Sequence, residues 1–298
     1  MNFTFKLSIA AIILIFSLTS CEGFFETTLE LDPPPFEKTL VVDCVSNNML
    51  DTIQMRISQN QGILEDKPNY ALDISDADVN LNVNGMELKA ETISSLYRND
   101  NRNNYRVALP SRLKSGDKVQ IKVAHKDFNE AGARIEILPR SDVISAVYSE
   151  NGGLDRDGDK KSKVSVTFND PKGKNFYAIK ISAPNYDDIS DYTYITSVDP
   201  SAYESYDYET LLLSDEGFDG EKKVIDFLID PLYDDSDKGK IKLSWYHISE
   251  DYFKFSRSLR AYKNTEDNPF GSPVPVISNI NSGVGIFAIH NLQIVDVE

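Results

Sequence analysis

The sequence predicts an all-β fold of two antiparallel β-sandwich domains of the immunoglobulin-like kind, the second carrying one α-helix near its C-terminal end. Three observations predict it. Hydrophobic residues recur mainly at every second position, the mark of half-buried strands. Turn signals separate these runs at short intervals, as in sandwiches. One segment alone, near residues 249–263, changes to helical spacing.

The chain begins with a targeting segment rather than a strand. Lys6 precedes an apolar run from Leu7 to Leu18, broken only by Ser8 and Ser17. That run is shorter than the roughly 20 residues a membrane-spanning helix needs and suits a secretory signal peptide over 1–20. It ends in Leu18-Thr19-Ser20-Cys21, a lipobox, in which the Cys21 thiol takes a diacylglycerol and small neighbours admit the signal peptidase. Cys21 is therefore the expected lipidation site and the membrane the expected attachment. Residues 21–38 read as a tether, because Asp32-Pro33-Pro34-Pro35 favours extended, semi-rigid polyproline geometry.

The strands follow. Leu40-Val41-Val42 opens a first domain assigned to residues 39–139. Within it Ile53, Met55 and Ile57 alternate with polar neighbours, as do Val79, Leu81 and Val83, and Val119, Ile121 and Val123. Asn84-Gly85 directly follows one such run and predicts a type I′ hairpin. Leu138-Pro139-Arg140 marks a boundary, and residues 140–298 form a second, β-rich domain. Its alternating runs are Val164, Val166 and Phe168, then Ile241, Leu243 and Trp245, with Ile225, Phe227 and Ile229 a less clean one because Leu228 makes the other face partly apolar. After Ser249, a suitable N-cap, Tyr252, Phe255, Leu259 and Tyr262 fall on one helical face. Glu250 and Asp251 suit the first turn, and Arg257, Arg260 and Lys263 suit the C-terminal end of the dipole. Asn268-Pro269 ends the helix.

Composition narrows the function. With 47 acidic against 31 basic side chains, the net charge is −16, which repels nucleic-acid phosphates and excludes that class of partner. Two cysteines cannot build a disulfide framework, and Cys44, in an apolar strand, reads as a small buried hydrophobe. His125, His247 and His290 lie far apart, without an H-E-x-x-H or G-x-S-x-G motif, and Gly283-Val284-Gly285 lacks the third glycine of a dinucleotide fingerprint. No catalytic residue emerges, and the chain is expected not to be an enzyme.

Four features together resemble the Bacteroidota lipoprotein family catalogued as domain of unknown function 4249. They are the lipobox at Cys21, the strand Leu40-Val41-Val42, the stretch Val164 to Pro171 with Phe176-Tyr177 behind it, and a C-terminal block. That block runs from Tyr252 to Leu259, then through Asn268-Pro269-Phe270-Gly271-Ser272-Pro273-Val274 and Ser278-Asn279-Ile280 to Gly283-Val284-Gly285-Ile286-Phe287. Ser214 to Gly220 also resembles a family loop. The resemblance covers nearly the whole chain after Cys21. It implies an outer-membrane lipoprotein associated with a TonB-dependent transporter, and it carries over no catalytic residue. Glu22 and Glu26 are acidic but not contiguous, so periplasmic and cell-surface faces both stay open.

Two local signals bear on binding. Asp155, Asp157 and Asp159 alternate around Gly158 and resemble the start of an EF-hand loop, the one cofactor expectation being Ca²⁺. The loop departs from that pattern, because Gly158 comes early and Val166 stands at the twelfth position; a solvated turn is the competing reading. The second signal is a tyrosine-rich, acidic stretch with Tyr192, Tyr194, Tyr203, Tyr206 and Tyr208, residues that offer large contact area at low entropic cost. Core packing competes with recognition there. The leading expectation is a binding or accessory module. A calcium-stabilised adhesive surface protein and a glycosidase-type enzyme are the alternatives, the last requiring two carboxylates about 5–10 Å apart in a cleft.

Overall fold

The computed structural model describes residues 36–62, 65, 67–93, 103–184, 190–207, 209–231, 241–266 and 274–298. Cys21, Tyr208, most of the tether and Asn268-Pro269 lie outside them. By internal contacts the chain divides into Met1–Glu37 and Lys38–Glu298, and the described strands and α-helix belong to the second unit.

The alternating runs fold as strands. In the N-terminal half these are β1 (Leu40–Asn47), β2 (Thr52–Gln59), β3 (Asp78–Val83), β4 (Met86–Lys89), β5 (Glu91–Thr92), β6 (Tyr105–Ala108), β7 (Lys118–His125) and β8 (Phe128–Glu136). The C-terminal half adds β9 (Asp142–Leu154), β10 (Lys160–Asn169), β11 (Phe176–Pro184), β12 (Ser190–Tyr192), β13 (Ile195–Thr196), β14 (Ala202–Glu204), β15 (Leu211–Ser214), β16 (Lys222–Ile229) and β17 (Lys242–Ile248). The helix α1 (Glu250–Glu266) and the strand β18 (Val284–Asp296) close the chain. Among the described residues the fold is mostly β, with one α-helix, near the C-terminus, and a single 3-10 turn at Asn69–Leu72. Asn84 and Gly85 both take positive φ, 51° and 93°, and Val83 pairs with Met86, as a type I′ hairpin requires. Ser249 caps α1: its hydroxyl accepts from the Tyr252 amide at 3.2 Å. No described helix is long and apolar enough to cross a membrane.

The strands form one ten-stranded sheet and two four-stranded ones. The large sheet runs β14-β15-β11-β17-β18-β1-β2-β6-β5, with β12 beside β11; the small ones run β13-β16-β10-β9 and β4-β3-β7-β8. One pairing departs from the antiparallel expectation: β1 runs parallel to β18, with Val42 opposite Gly285. The pairing is close. Gly285 has φ +115°, and a Cβ there would lie 2.0 Å from the Val42 carbonyl oxygen.

Burial resolves into three cores. The first joins Val42, Met55 and Tyr105 of the large sheet to Val79, Ile121 and Ala133 of the sheet β4-β3-β7-β8, and takes in Phe287 and Ile289 from β18. The second packs Tyr177, Leu243 and Trp245 against Val164, Phe168 and Phe227, with Val295 at its margin. The third seats Tyr252, Phe253 and Phe255 of α1 on Phe176, Leu212, Ile286 and Ala288. Side chains alternate along a strand. Phe287, Ile289 and Val295 therefore face one side of β18, where both small sheets lie, while Ile286 and Ala288 face the helix.

The segment around the expected boundary is tied down by β17 and β18. Asn291 Nδ2 donates to Leu138 O at 2.9 Å, and the Gln293 amide exchanges hydrogen bonds with the Val143 backbone at 3.2 and 3.3 Å. Trp245 Nε1 donates to Ser141 Oγ at 2.8 Å, and His247 Nδ1 lies 2.7 Å from Pro139 O.

Candidate functional site

A cleft of about 580 Å³ opens where α1 passes the two short edge strands β13 and β14. It brings the two sequence signals together. Asp155 and Asp157, from the β9–β10 turn, line it with Tyr194 and Tyr203 from the tyrosine-rich stretch. The helix contributes Arg257, Arg260, Ala261 and Asn264, spaced i, i+3, i+4 and i+7 on one face.

The acidic loop folds as a turn. Asp155 Oδ1 accepts from the amides of Asp157 at 3.0 Å and Asp159 at 2.9 Å, and Gly158 reverses the chain at φ +87°. Asp155 Oδ2 is 3.9 Å from Lys161 Nζ, and Lys161 itself holds Asp230 at 2.7 Å. The hydrogen bond to Asp230 is the first cause holding the Lys161 amine above its ordinary range. Asp155, Asp157 and Asp159 do not converge as three ligands. Among the described residues, the acidic trio whose oxygens all lie within 4.8 Å of one another is Asp170, Asp215 and Asp219.

That trio joins the β10–β11 turn to the loop after β15, two segments far apart in sequence. Each carboxylate meets protein donors. Asp170 accepts from the Tyr177 hydroxyl at 2.5 Å and the Gly220 amide at 2.8 Å. Asp215 accepts from the Asn175 amide at 2.6 Å, and Asp219 from the Gly173 amide at 2.7 Å. Burial, first, raises the Asp170 carboxyl above the usual range; burial and the Asp170 carboxylate push the Tyr177 hydroxyl far up. The three oxygens are of the kind a hard cation takes, but the arrangement serves as a polar knot between two turns.

The tyrosines divide. Tyr194 follows β12 in a connection rather than a strand and is 47% exposed on the cleft wall. Tyr203, on β14, lies under the Arg257 guanidinium at 4.2 Å and meets Phe253 edge-on at 5.6 Å. Tyr192 lies outside the cleft, with Lys180 Nζ 4.7 Å over its ring. Tyr206 packs edge-on against Phe255, and burial pushes its hydroxyl up to about 12.

The helix supplies what sequence reasoning missed. Arg260 is paired with the Glu204 carboxylate and donates to Ser205 O at 2.8 Å. Arg257 stacks on Tyr203 and, at 5.6 Å, on Phe253, and has no acidic partner among the described residues. The signal was present in the sequence as a second helical face behind the aromatic one.

Fold and cleft together define an all-β protein with a ligand-sized pocket between a helix and two sheet edges. The chain belongs to the family described as "Domain of unknown function (DUF4249)", whose model matches residues 26–293. No curated protein matches it. Among solved structures it is similar to a chain titled "Biofilm associated protein - BSP domain", at 5% identity and a TM-score of 0.20. That alignment covers 93% of this chain and 62% of the other, so this chain spans under two thirds of that protein's length.

Proposed function

We propose that the chain is a lipid-anchored binding protein of the outer membrane, attached through Cys21 and accessory to a TonB-dependent transporter. The observation that carries the binding role is the cleft of about 580 Å³, within the range that small-ligand sites occupy. The lipobox Leu18-Thr19-Ser20-Cys21 supports the anchor, and the likeness of Val164 to Pro171 and of the C-terminal block to transporter-associated lipoproteins supports the partner. The division of the buried residues into a core for each small sheet supports two sandwich modules, about 39–139 and 140–298, that share β18.

Binding fits the cleft better than glycoside hydrolysis. Of its carboxylates, Asp155 is held by turn amides, Glu204 by Arg260 and Asp230 by Lys161. An acid–base pair needs two carboxyl groups open to the substrate.

The test is crosslinking of the tagged protein in intact cells, purification from the membrane fraction, and mass spectrometry of what copurifies. A stoichiometric TonB-dependent transporter is the expected result, with Cys21→Ser releasing the protein from membranes. Recovery without such a transporter overturns the accessory role, and a Cys21→Ser protein that stays on membranes overturns the anchor.

A further inference from the structure

We infer that the cleft takes a saccharide bearing a carboxylate, a uronic acid residue, with Arg257 as the clamp for that carboxylate. The inference rests on the reading of the cleft as the ligand site and adds the class of ligand.

Arg257 is the first observation. Its guanidinium is held at 4.2 Å over Tyr203 and 5.6 Å from Phe253, and the two rings are themselves packed at 5.6 Å. The two ring contacts hold the head group at the cleft wall and leave its N–H donors without a hydrogen-bond partner among the described residues. Two other cations at the cleft already have an anion: Arg260 holds Glu204, and Lys161 holds Asp230. Arg156, on the exposed β9–β10 turn, has no ring contact among the described residues to fix its plane. Arg257 has no hydrogen bond or ion pair among the described residues. A planar, preoriented guanidinium without a counter-ion is built for an oxyanion taken in a bidentate grip.

The surrounding charge selects among oxyanions. Asp155, Asp157, Glu204 and Asp230 line the cleft together with four cations, Arg156, Lys161, Arg257 and Arg260, so the lining is charge-balanced within a chain whose net charge is −16. A cleft of this volume is about one Debye length across, about 8 Å at physiological salt, so these charges are not screened from the ligand. A carboxylate adds one negative charge to this balanced lining and a phosphate monoester adds about two, in a chain that is already strongly anionic, so the singly charged oxyanion is favoured for the same fork geometry.

The remaining free groups describe the rest of the ligand. Tyr194 presents an exposed ring, beside the exposed Val198, as an apolar wall. The flat C–H face of a pyranose lies well on such a ring. Asn264 and Asp157 line the cleft with no side-chain partner among the described residues, one offering donors and acceptor, the other acceptors only. Hydroxyl groups, which donate and accept, match both. A purely apolar carboxylate such as a fatty acid would cover these exposed groups without replacing their hydrogen bonds to water, which is costly.

The experiment is calorimetric titration of the full-length protein in detergent with three probes: digalacturonate, its methyl ester and neutral digalactose. Wild type is expected to bind the acid and to bind the ester and the neutral sugar roughly ten- to a hundredfold more weakly, the range of a lost charge-assisted pair. Arg257→Lys, which keeps the charge and loses the fork, is expected to weaken the acid by a similar factor with an unchanged melting temperature. Asn264→Ala is expected to weaken all three probes alike. Equal binding of acid and ester, or full affinity in Arg257→Lys, overturns the carboxylate clamp while leaving the cleft a ligand site. Absence of binding by all three at millimolar concentration overturns the saccharide class. Transporter copurification, measured separately, decides the accessory role without reference to these titrations.

Discussion

His290 illustrates how a single buried group sets the response of this protein to acid. It is 5% exposed on β18, its ring 4.4 Å from Tyr252 and 6.0 Å from Tyr246, and its Nε2 finds no hydrogen-bond partner among the described residues. Burial lowers its pKa from 6.5 to about 3, so the folded protein keeps it neutral. The unfolded chain protonates it near 6.5, so between pH 6.5 and 3 the unfolded state binds the extra proton. The stability is therefore fully present above pH 6.5 and is lost as the pH falls, at up to about 1.4 kcal/mol per unit. His247, lowered chiefly by burial, acts in the same direction. His290→Phe, which keeps the aromatic contacts, should flatten the loss measured by urea unfolding between pH 6 and pH 4. A profile parallel to wild type would assign the acid sensitivity elsewhere. Little of this was legible in the sequence, where His290 is one of three isolated histidines. The same holds for the site: Tyr194 and Asp155 were visible as types in a pattern, whereas the placement of Arg257 over Tyr203, with no acidic partner among the described residues, depends on which face of α1 meets β14. The convergence of Asp170, Asp215 and Asp219 depends on two turns meeting across the fold, which no local period records.

Elements behaved as their periods required wherever one face is buried and the other wet. β3, β7 and β10 alternate because a one-residue slip would turn their apolar sets to solvent. α1 begins at its cap for an equally local reason, the Ser249 hydroxyl satisfying a free amide of the first turn. β18 is different. It is buried on both faces over Ile286 to His290, so it has no alternation to read, and its parallel partner β1 lies at the other end of the chain. What marks the pairing is Gly285. At φ +115°, with Val42 O 2.0 Å from where a Cβ would stand, alanine has neither the conformation nor the room. Gly285→Ala should cost roughly 3 kcal/mol or more, the range of severe single substitutions. Gly217→Ala supplies the control: φ is +104° but nothing lies within 4 Å, so only the conformational penalty of about 1–2 kcal/mol applies. Urea denaturation of the two variants separates the terms, and equal losses would remove the close approach as the cause.

The whole molecule is asymmetric in a way that neither half of the sequence announces. The second and third cores take their buried residues only from Ala146 onward, so neither draws a buried side chain from the N-terminal half. The first core is not complete without the C-terminal end, because Ile280, Phe287 and Ile289 belong to it. Removing β18 would also leave β1 with an unpaired backbone edge from Val41 to Asn47, a template for aggregation. A cut at the boundary the sequence suggests therefore has unequal consequences. Residues 138–298, which retain Pro139 and Ser141 against His247 and Trp245, should melt cooperatively as a separate fragment. Residues 38–137 should show no cooperative transition by circular dichroism, since their core lacks three buried side chains and a strand. Supplying residues 274–298 in trans, or fused after residue 137, should restore one by returning Phe287 and Ile289 to the core and pairing to β1. A fragment 38–137 that melts cooperatively without that addition would show that β18 decorates the first core rather than completing it. If the expected order holds, folding of the first core waits for the last residues of the chain. The cleft shares the dependence on β18, because the helix that lines it with Arg257, Arg260 and Asn264 is seated in part on Ile286 and Ala288.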